Sequence, residues 1–169
     1  GNDGSGMGGS GWFGQDTSTA DSTDSQLTFN GGTIFVDATG DGLDSNGTLN
    51  FNGGLVYVNG PTSDNNGPVD ADRNITSTGG TIIAVGSSGM AMGPNSSAST
   101  QASILVSTSV TAGTIVNISD SSGKTIATFA PKRTIASIMI TSPNLSAGST
   151  YTISTGGTYT GGTNSNGYY

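Results

Sequence analysis

The chain contains no cysteine, no histidine and no glutamate, and only 9% of its 169 residues are charged. Without cysteine there are no disulfides, no zinc thiolates and no thiol nucleophile. Without histidine the many serines have no imidazole to activate them. Four basic residues stand against eleven acids, for a net charge of −7. Nucleic acid, which needs a basic face, is therefore not an expected partner. No apolar run approaches the roughly 18 residues of a membrane-spanning helix, so no membrane span is expected. No window offers apolar residues at a 3.6-residue period, and all eleven acids are aspartate, a residue of turns, so long helices are not expected either.

What is present is glycine, 29 residues of it, with serine, threonine and asparagine filling most of the remainder. So polar a composition can belong to a disordered chain, but from Gln26 onward strand patterns recur. Few charges, many hydroxyls and no thiols fit an extracellular or cell-surface protein. The chain begins at Gly1 rather than Met, as expected of a mature form or an excised piece.

One phrase is written three times: Leu27-Thr-Phe29-Asn30-Gly31-Gly32-Thr33-Ile34-Phe35-Val36, then Leu49 to Val58, then Ile75 to Ala84, at spacings of 22 and 26 residues. Each copy alternates apolar and polar residues on either side of a Gly-Gly corner, as half-buried strands joined by a sharp bend require. Coils of this length that stack on their equivalents make a β-solenoid. The expected fold is therefore all-β: a short right-handed parallel β-helix of about three coils. A β-sandwich with chance repeats is the alternative. The inward columns are expected to be Leu27/Leu49/Ile75, Phe29/Phe51/Ser77, Ile34/Val56/Ile82 and Val36/Val58/Ala84. Leu43, Val69 and Met90 are expected to point inward as a short third strand.

Residues 1–25 read as a Gly/Ser-rich arm carrying one aromatic pair, Trp12-Phe13. Such an arm is ordered only when its own domain or a neighbour holds it down. Residues 26–101 hold the coils. At residues 102–157 five strand patterns (104–106, 114–118, 125–129, 135–140 and 151–153) predict an antiparallel β cap over the open end of the last coil. Residues 158–169 form a Gly/Thr/Tyr tail.

Taken together, FNGGTIFVDATGDGLDSNGTLNFNGG, TIIAVGSSGMAM and the tail NISDSSGKTIATFAP…SIMITSPNLSAGSTYTISTGG resemble the secreted bacterial carbohydrate-binding domain family, over roughly residues 26–157. Members of that family are calcium-binding right-handed parallel β-helices related in fold to polysaccharide lyases, and this chain resembles their C-terminal portion. The resemblance implies non-catalytic binding of an acidic or plant-type polysaccharide, with bound calcium.

Six of the eleven aspartates fall between residues 37 and 72. Aligning Leu43-Asp44 with Val69-Asp70 places two carboxylates on adjacent strands, about 4.8 Å apart. Like charges that close need a cation or hydrogen-bond donors between them. Calcium, which takes several oxygens, suits this turn, with Asp41, Asp44, Asn66, Asp70 and Asp72 as candidate ligands and Asn46 beside them. The alternative is a solvated acidic turn held by its own hydrogen bonds. An acid/base carboxylate pair, or a lyase base at Arg73, is conceivable on such a fold, but with so few titratable partners no enzyme activity is expected. Phe35, Tyr57 and Ile83 form the outward column, whose aromatics would stack on sugar or bury against another chain or the protein's own loops. Lys124, Lys132 and Arg133 lie in the cap and the acids in the coils, a polarity that favours head-to-tail contact. A structural subunit of an extracellular filament or biofilm matrix, self-associating by solenoid stacking with Trp12 and Phe13 as an assembly arm, is thus the alternative function.

Overall fold

The computed structural model describes residues 25–162 and 164–169. The Trp12-Phe13 arm lies outside the described residues. Among these residues there is no helix, and eleven strands follow one another. They are β1 (Gln26–Asp37), β2 (Leu43–Ser45), β3 (Thr48–Asn59), β4 (Val69–Ala71), β5 (Ile75–Ser77) and β6 (Thr81–Gly86). Then come β7 (Ser103–Val110), β8 (Val116–Asp120), β9 (Thr125–Phe129), β10 (Ile135–Thr141) and β11 (Tyr151–Thr155).

The protein is all-β, with one mixed sheet, one antiparallel sheet and one short parallel pair, and the sheets do not close into a barrel. The repeated phrases pair in parallel. Leu27 lies beside Leu49, Phe29 beside Phe51, Ile34 beside Val56 and Val36 beside Val58. The third copy continues the same columns, with Ile75, Ser77, Ile82 and Ala84. Instead of two short strands per copy, β1 and β3 run unbroken through the corner, with a register shift at Asn30, whereas the third copy splits into β5 and β6. The second corner glycine of each copy, Gly32, Gly54 and Gly80, sits at φ of 83°, 89° and 82°. Side chains resist that conformation, so the bend selects glycine. Along the outer rim, Asn52 Nδ2 donates to Asn30 Oδ1 (2.9 Å) and the Thr78 hydroxyl to Asn52 Oδ1 (3.0 Å). A second ladder joins Thr28, Asn50 and Thr76. These rungs satisfy amides that in-register stacking brings together.

The five C-terminal strands form where expected, but they do not make one cap. β10 pairs antiparallel with β6 and then with β7, so these two strands extend the repeat sheet in the order β1-β3-β6-β10-β7. The other three make a separate sheet, β11-β8-β9. Between them the sheets define two cores. Phe29, Leu49, Phe51, Val56, Val58, Ile75, Ile82 and Ala84 pack with Leu43, Val69 and Ala71 of the β2-β4 pair. On the other face Tyr57, Ile83, Val85, Ile138 and Ile140 pack against Val116, Ile118, Ile126 and Phe129 of the second sheet. The repeat sheet is thereby covered on both faces, which is why its middle strands alternate apolar with apolar. Met90 does not join Leu43 and Val69 inside; it is 38% exposed, because the third copy has no strand equivalent to β2 and β4.

Candidate functional site

The outward aromatic column is not a surface. Tyr57 and Ile83 are fully buried and Phe35 is partly buried against the same core. The second sheet and the tail cover them: the Tyr57 ring packs tilted against Phe129, at 5.7 Å, and against Tyr168, at 6.3 Å. Its hydroxyl donates to the Ala130 carbonyl (3.1 Å) and lies 3.3 Å from Asn59 Oδ1. Burial pushes its acidity well below that of an ordinary phenol, so it stays a neutral donor. Of the readings open for this column, cover by the protein's own chain is the one found.

In the acidic turns, Asp44 lies directly beside Asp70 in the parallel pair β2-β4, both half-buried. Asp41 does not join them: its Oδ1 accepts the Gly67 amide at 2.7 Å, in the turn after the next copy of the repeat. Asp64 does the same for Gly89 at 2.9 Å. These aspartates stitch successive turns together through backbone N–H groups. Asn66 is half-buried, its carbonyl accepting the Ser87 hydroxyl, and Asp72 is exposed. Among the described residues no three acids gather as a metal-holding group. Of the expected calcium set, Asp44 and Asp70 are the two brought into register, and carboxylate oxygens are the donors that a hard divalent cation takes.

The basic residues do not form an opposite pole. Lys132 Nζ lies 2.9 Å from Asp37 Oδ2, and Arg133 pairs with the other oxygen of the same carboxylate. Asp37 ends β1, so the two cations sit beside the first copy of the repeat. The Lys132 ammonium first, then the Arg133 guanidinium, holds the Asp37 carboxyl below the usual carboxylate range. Lys132 N–H also donates to Asn59 Oδ1 (2.8 Å), which fixes the segment after β9 against β3.

An open aromatic site lies elsewhere, in the tail. Residues 164–169 fold back onto the second sheet: Ala130 N–H donates to the Gly167 carbonyl and Tyr169 N–H to the Thr128 carbonyl (3.0 Å). Tyr168 is half-buried there, and burial raises the pKa of its hydroxyl. The return closes a cleft of about 500 Å³ walled by Tyr159, Tyr168 and Tyr169, with Asn117, Thr125 and Thr128 among its lining. The Tyr159 and Tyr169 rings meet at 4.6 Å, and Tyr159 is 37% exposed. A second cleft of about 710 Å³, between the loop after β6 and the loop before β11, is lined by hydroxyls such as Ser96, Ser99, Thr100 and Tyr151. Neither cleft has a charged side chain among its described lining residues. Sequence reasoning passed over the tyrosines because the tail has no strand pattern. The available signal was the Tyr168-Tyr169 pair itself, since aromatic rings in a Gly/Thr tail gain most by packing back on the fold.

Comparison of the chain with family models, with curated proteins and with solved structures gives no match.

Proposed function

We propose that this protein is a non-catalytic, extracellular carbohydrate-binding protein, built as a short parallel β-helix whose C-terminal strands carry the sugar site. The observation that carries this reading is the tyrosine cleft. Sugar rings present apolar C–H faces ringed by hydroxyls. Tyr159 and Tyr169 offer aromatic faces for the former, and Asn117, Thr125 and Thr128 offer donors and acceptors for the latter. No carboxylate or imidazole stands among its described lining residues, which suits binding without turnover. The lining also selects the glycan. A uronate would meet no cation in the cleft and a protein of net charge −7 around it, so the favoured ligand is a neutral, cellulosic chain. The parallel register of β1, β3 and β6 supports the β-helix reading, as does the resemblance to secreted carbohydrate-binding domains. Calcium belongs to the same proposal, held between Asp44 and Asp70 in a structural rather than a sugar-contacting role.

Titration calorimetry with soluble cello-oligosaccharides tests this. Binding is expected to the wild type and to fall by about 2- to 10-fold in Tyr159→Ala, the loss of one stacking face. Absence of binding, or equal affinity in Tyr159→Ala and Tyr169→Ala, would overturn the assignment.

A further inference from the structure

β7 is one of the two outer strands of the repeat sheet, and among the described residues only β10 pairs with it. Elsewhere the protein closes such edges with its own chain. β10 pairs with the outer side of β6. The loop after β6 covers β5, with Asn95 Oδ1 and Ser99 Oγ accepting the Ile75 and Ser77 amides. β7 has the residues of an inner strand without that cover. Ile104 and Val106 lie opposite the fully buried Ile140 and Ile138, yet both remain partly exposed. On the other face Leu105 lies opposite the fully buried Met139 and is itself 48% exposed. Both cores thus run out at this strand.

The devices that keep open edges apart are charge, proline and bulges. The β7 sequence, Ser103-Ile-Leu-Val-Ser-Thr-Ser-Val110, has no charge and no proline. Its one irregularity lies between Ser107 and Val110, so residues 103–107 run in unbroken register against residues 137–141. Charge is remote from this edge in the sequence as well. Residues 74–119 and 134–169 contain no charged side chain, whereas the aspartates between 37 and 72 lie on β1, β2 and β4 or in the turns around them. Two molecules of net charge −7 therefore meet least repulsion at β7. The regular stretch is also close to its own reverse. Ser-Ile-Leu-Val-Ser, turned end for end about Leu105, reads Ser-Val-Leu-Ile-Ser.

We infer that β7 pairs antiparallel with β7 of a second copy of this chain, about a two-fold axis at Leu105. Each Leu105 then faces its own counterpart, each Ile104 a Val106 and each Ser103 a Ser107. Opposed residues of an antiparallel pair lie on one face of the sheet, so the aliphatic pairs extend both cores and the serines flank the leucine pair. The two repeat sheets become one continuous sheet. Such a contact is isologous and closed, and it makes a dimer rather than a fibre. Its short edge places it among the small, reversible interfaces.

Sedimentation equilibrium of the full chain over a concentration series tests this. A reversible monomer–dimer equilibrium is expected, shifted towards dimer by added salt, because net repulsion is screened and no ion pair is lost. Monomer at every concentration, open-ended assembly, or dissociation by salt would each overturn the inference. Leu105→Lys sets two ammonium groups opposite one another. It is expected to be monomeric with an unchanged far-UV circular dichroism spectrum, since Leu105 is already half exposed in the single chain. A dimer that survives this substitution would place the contact on another surface. Leu105→Cys gives a reading that does not depend on tolerance of a charge, in a chain with no other cysteine. Facing Cα atoms lie about 4.5–5.5 Å apart, inside disulfide range, so mild oxidation is expected to link two chains. Ser107→Cys, also at an exposed position, would hold its two thiols roughly 14 Å apart and is not expected to link. Cross-linking at Ser107→Cys as fast as at Leu105→Cys, or none at either, would overturn the assignment.

Discussion

The Tyr57 hydroxyl donates a 3.1 Å hydrogen bond to the carbonyl of Ala130, 73 residues along the chain. It ties β3 of the repeat sheet to the segment that follows β9, inside the core between the two sheets. Tyr57→Phe keeps the ring and its contacts with Phe129 and Tyr168 but leaves that carbonyl without the phenol donor. The expected cost is about 1–2 kcal/mol, seen as a lower denaturant midpoint at unchanged slope. An unchanged midpoint would mean that water replaces the phenol there, and that the second sheet is held by apolar contact alone.

Ser77 interrupts the column Phe29/Phe51/Ser77 with a fully buried hydroxyl. It lies 2.9 Å from the Thr141 hydroxyl, and Gln101 Nε2 lies within hydrogen-bond distance of both hydroxyls and of the Gly80 carbonyl, which share its two N–H groups. Phe29 and Phe51 stack at 5.4 Å, but a third ring would occupy the space that Gln101 and β10 fill. Ser77→Ala is expected to destabilise by about 1–3 kcal/mol, since it removes one partner of a buried polar cluster. Restoring the repeat with Ser77→Phe should cost at least as much through overpacking. Thermal unfolding of the two variants checks both, and a Ser77→Phe protein as stable as the wild type would show that the cluster is dispensable.

These two residues mark where the sequence was legible and where it was not. The columns of β1, β3, β5 and β6 could be read because stacking in register repeats one environment, so the same residue class recurs at a fixed spacing. The strands after residue 102 were recoverable from their alternation. Their partners were not, because antiparallel pairing leaves no period in the sequence, and β10 was free to join either the repeats or its own neighbours. Tyr57 looked like an outward residue because alternation assigns a side of the sheet, not what lies beyond it. Asp41 reads as a member of the cation set because a carboxylate bonded to a backbone amide and one awaiting a cation are the same letter. The tyrosine cleft depends on residues 164–169 folding back over β9, a long-range contact with no local pattern.

Asp37 sets an acid limit on stability. Its carboxyl, held low by Lys132 and then Arg133, titrates below its unfolded value of 3.8. The sign follows: the contribution is complete above the unfolded pKa and is lost as the pH falls through the folded one. Asp120 acts in the same direction through the Ser122 hydroxyl and the Lys124 and Ser122 amides. Asp37 is at the surface, so the ion pairs should contribute no more than about 1 kcal/mol at neutral pH, and less in high salt. Asp37→Asn is therefore expected to lower the neutral-pH midpoint slightly and to flatten the stability profile below about pH 4. An identical acid limb in wild type and variant would assign that limb to other carboxylates.

Calcium would reverse the effect of one substitution. Under the calcium proposal, Asp44 and Asp70, register partners on β2 and β4, repel one another when no cation lies between them. Asp70→Asn should then be more stable than the wild type in chelator. With a divalent cation between the carboxylates the order inverts, because the wild type gains the binding energy and the variant loses most of it. At calcium a hundred-fold above its dissociation constant that gain is about 2.7 kcal/mol, large enough for the two melting curves to cross between buffers. Differential scanning calorimetry of both proteins, with calcium and with chelator, reads the crossing directly. If wild-type stability is the same in both buffers, calcium has no structural role at this turn, and the two carboxylates are held apart by the turn's own amides.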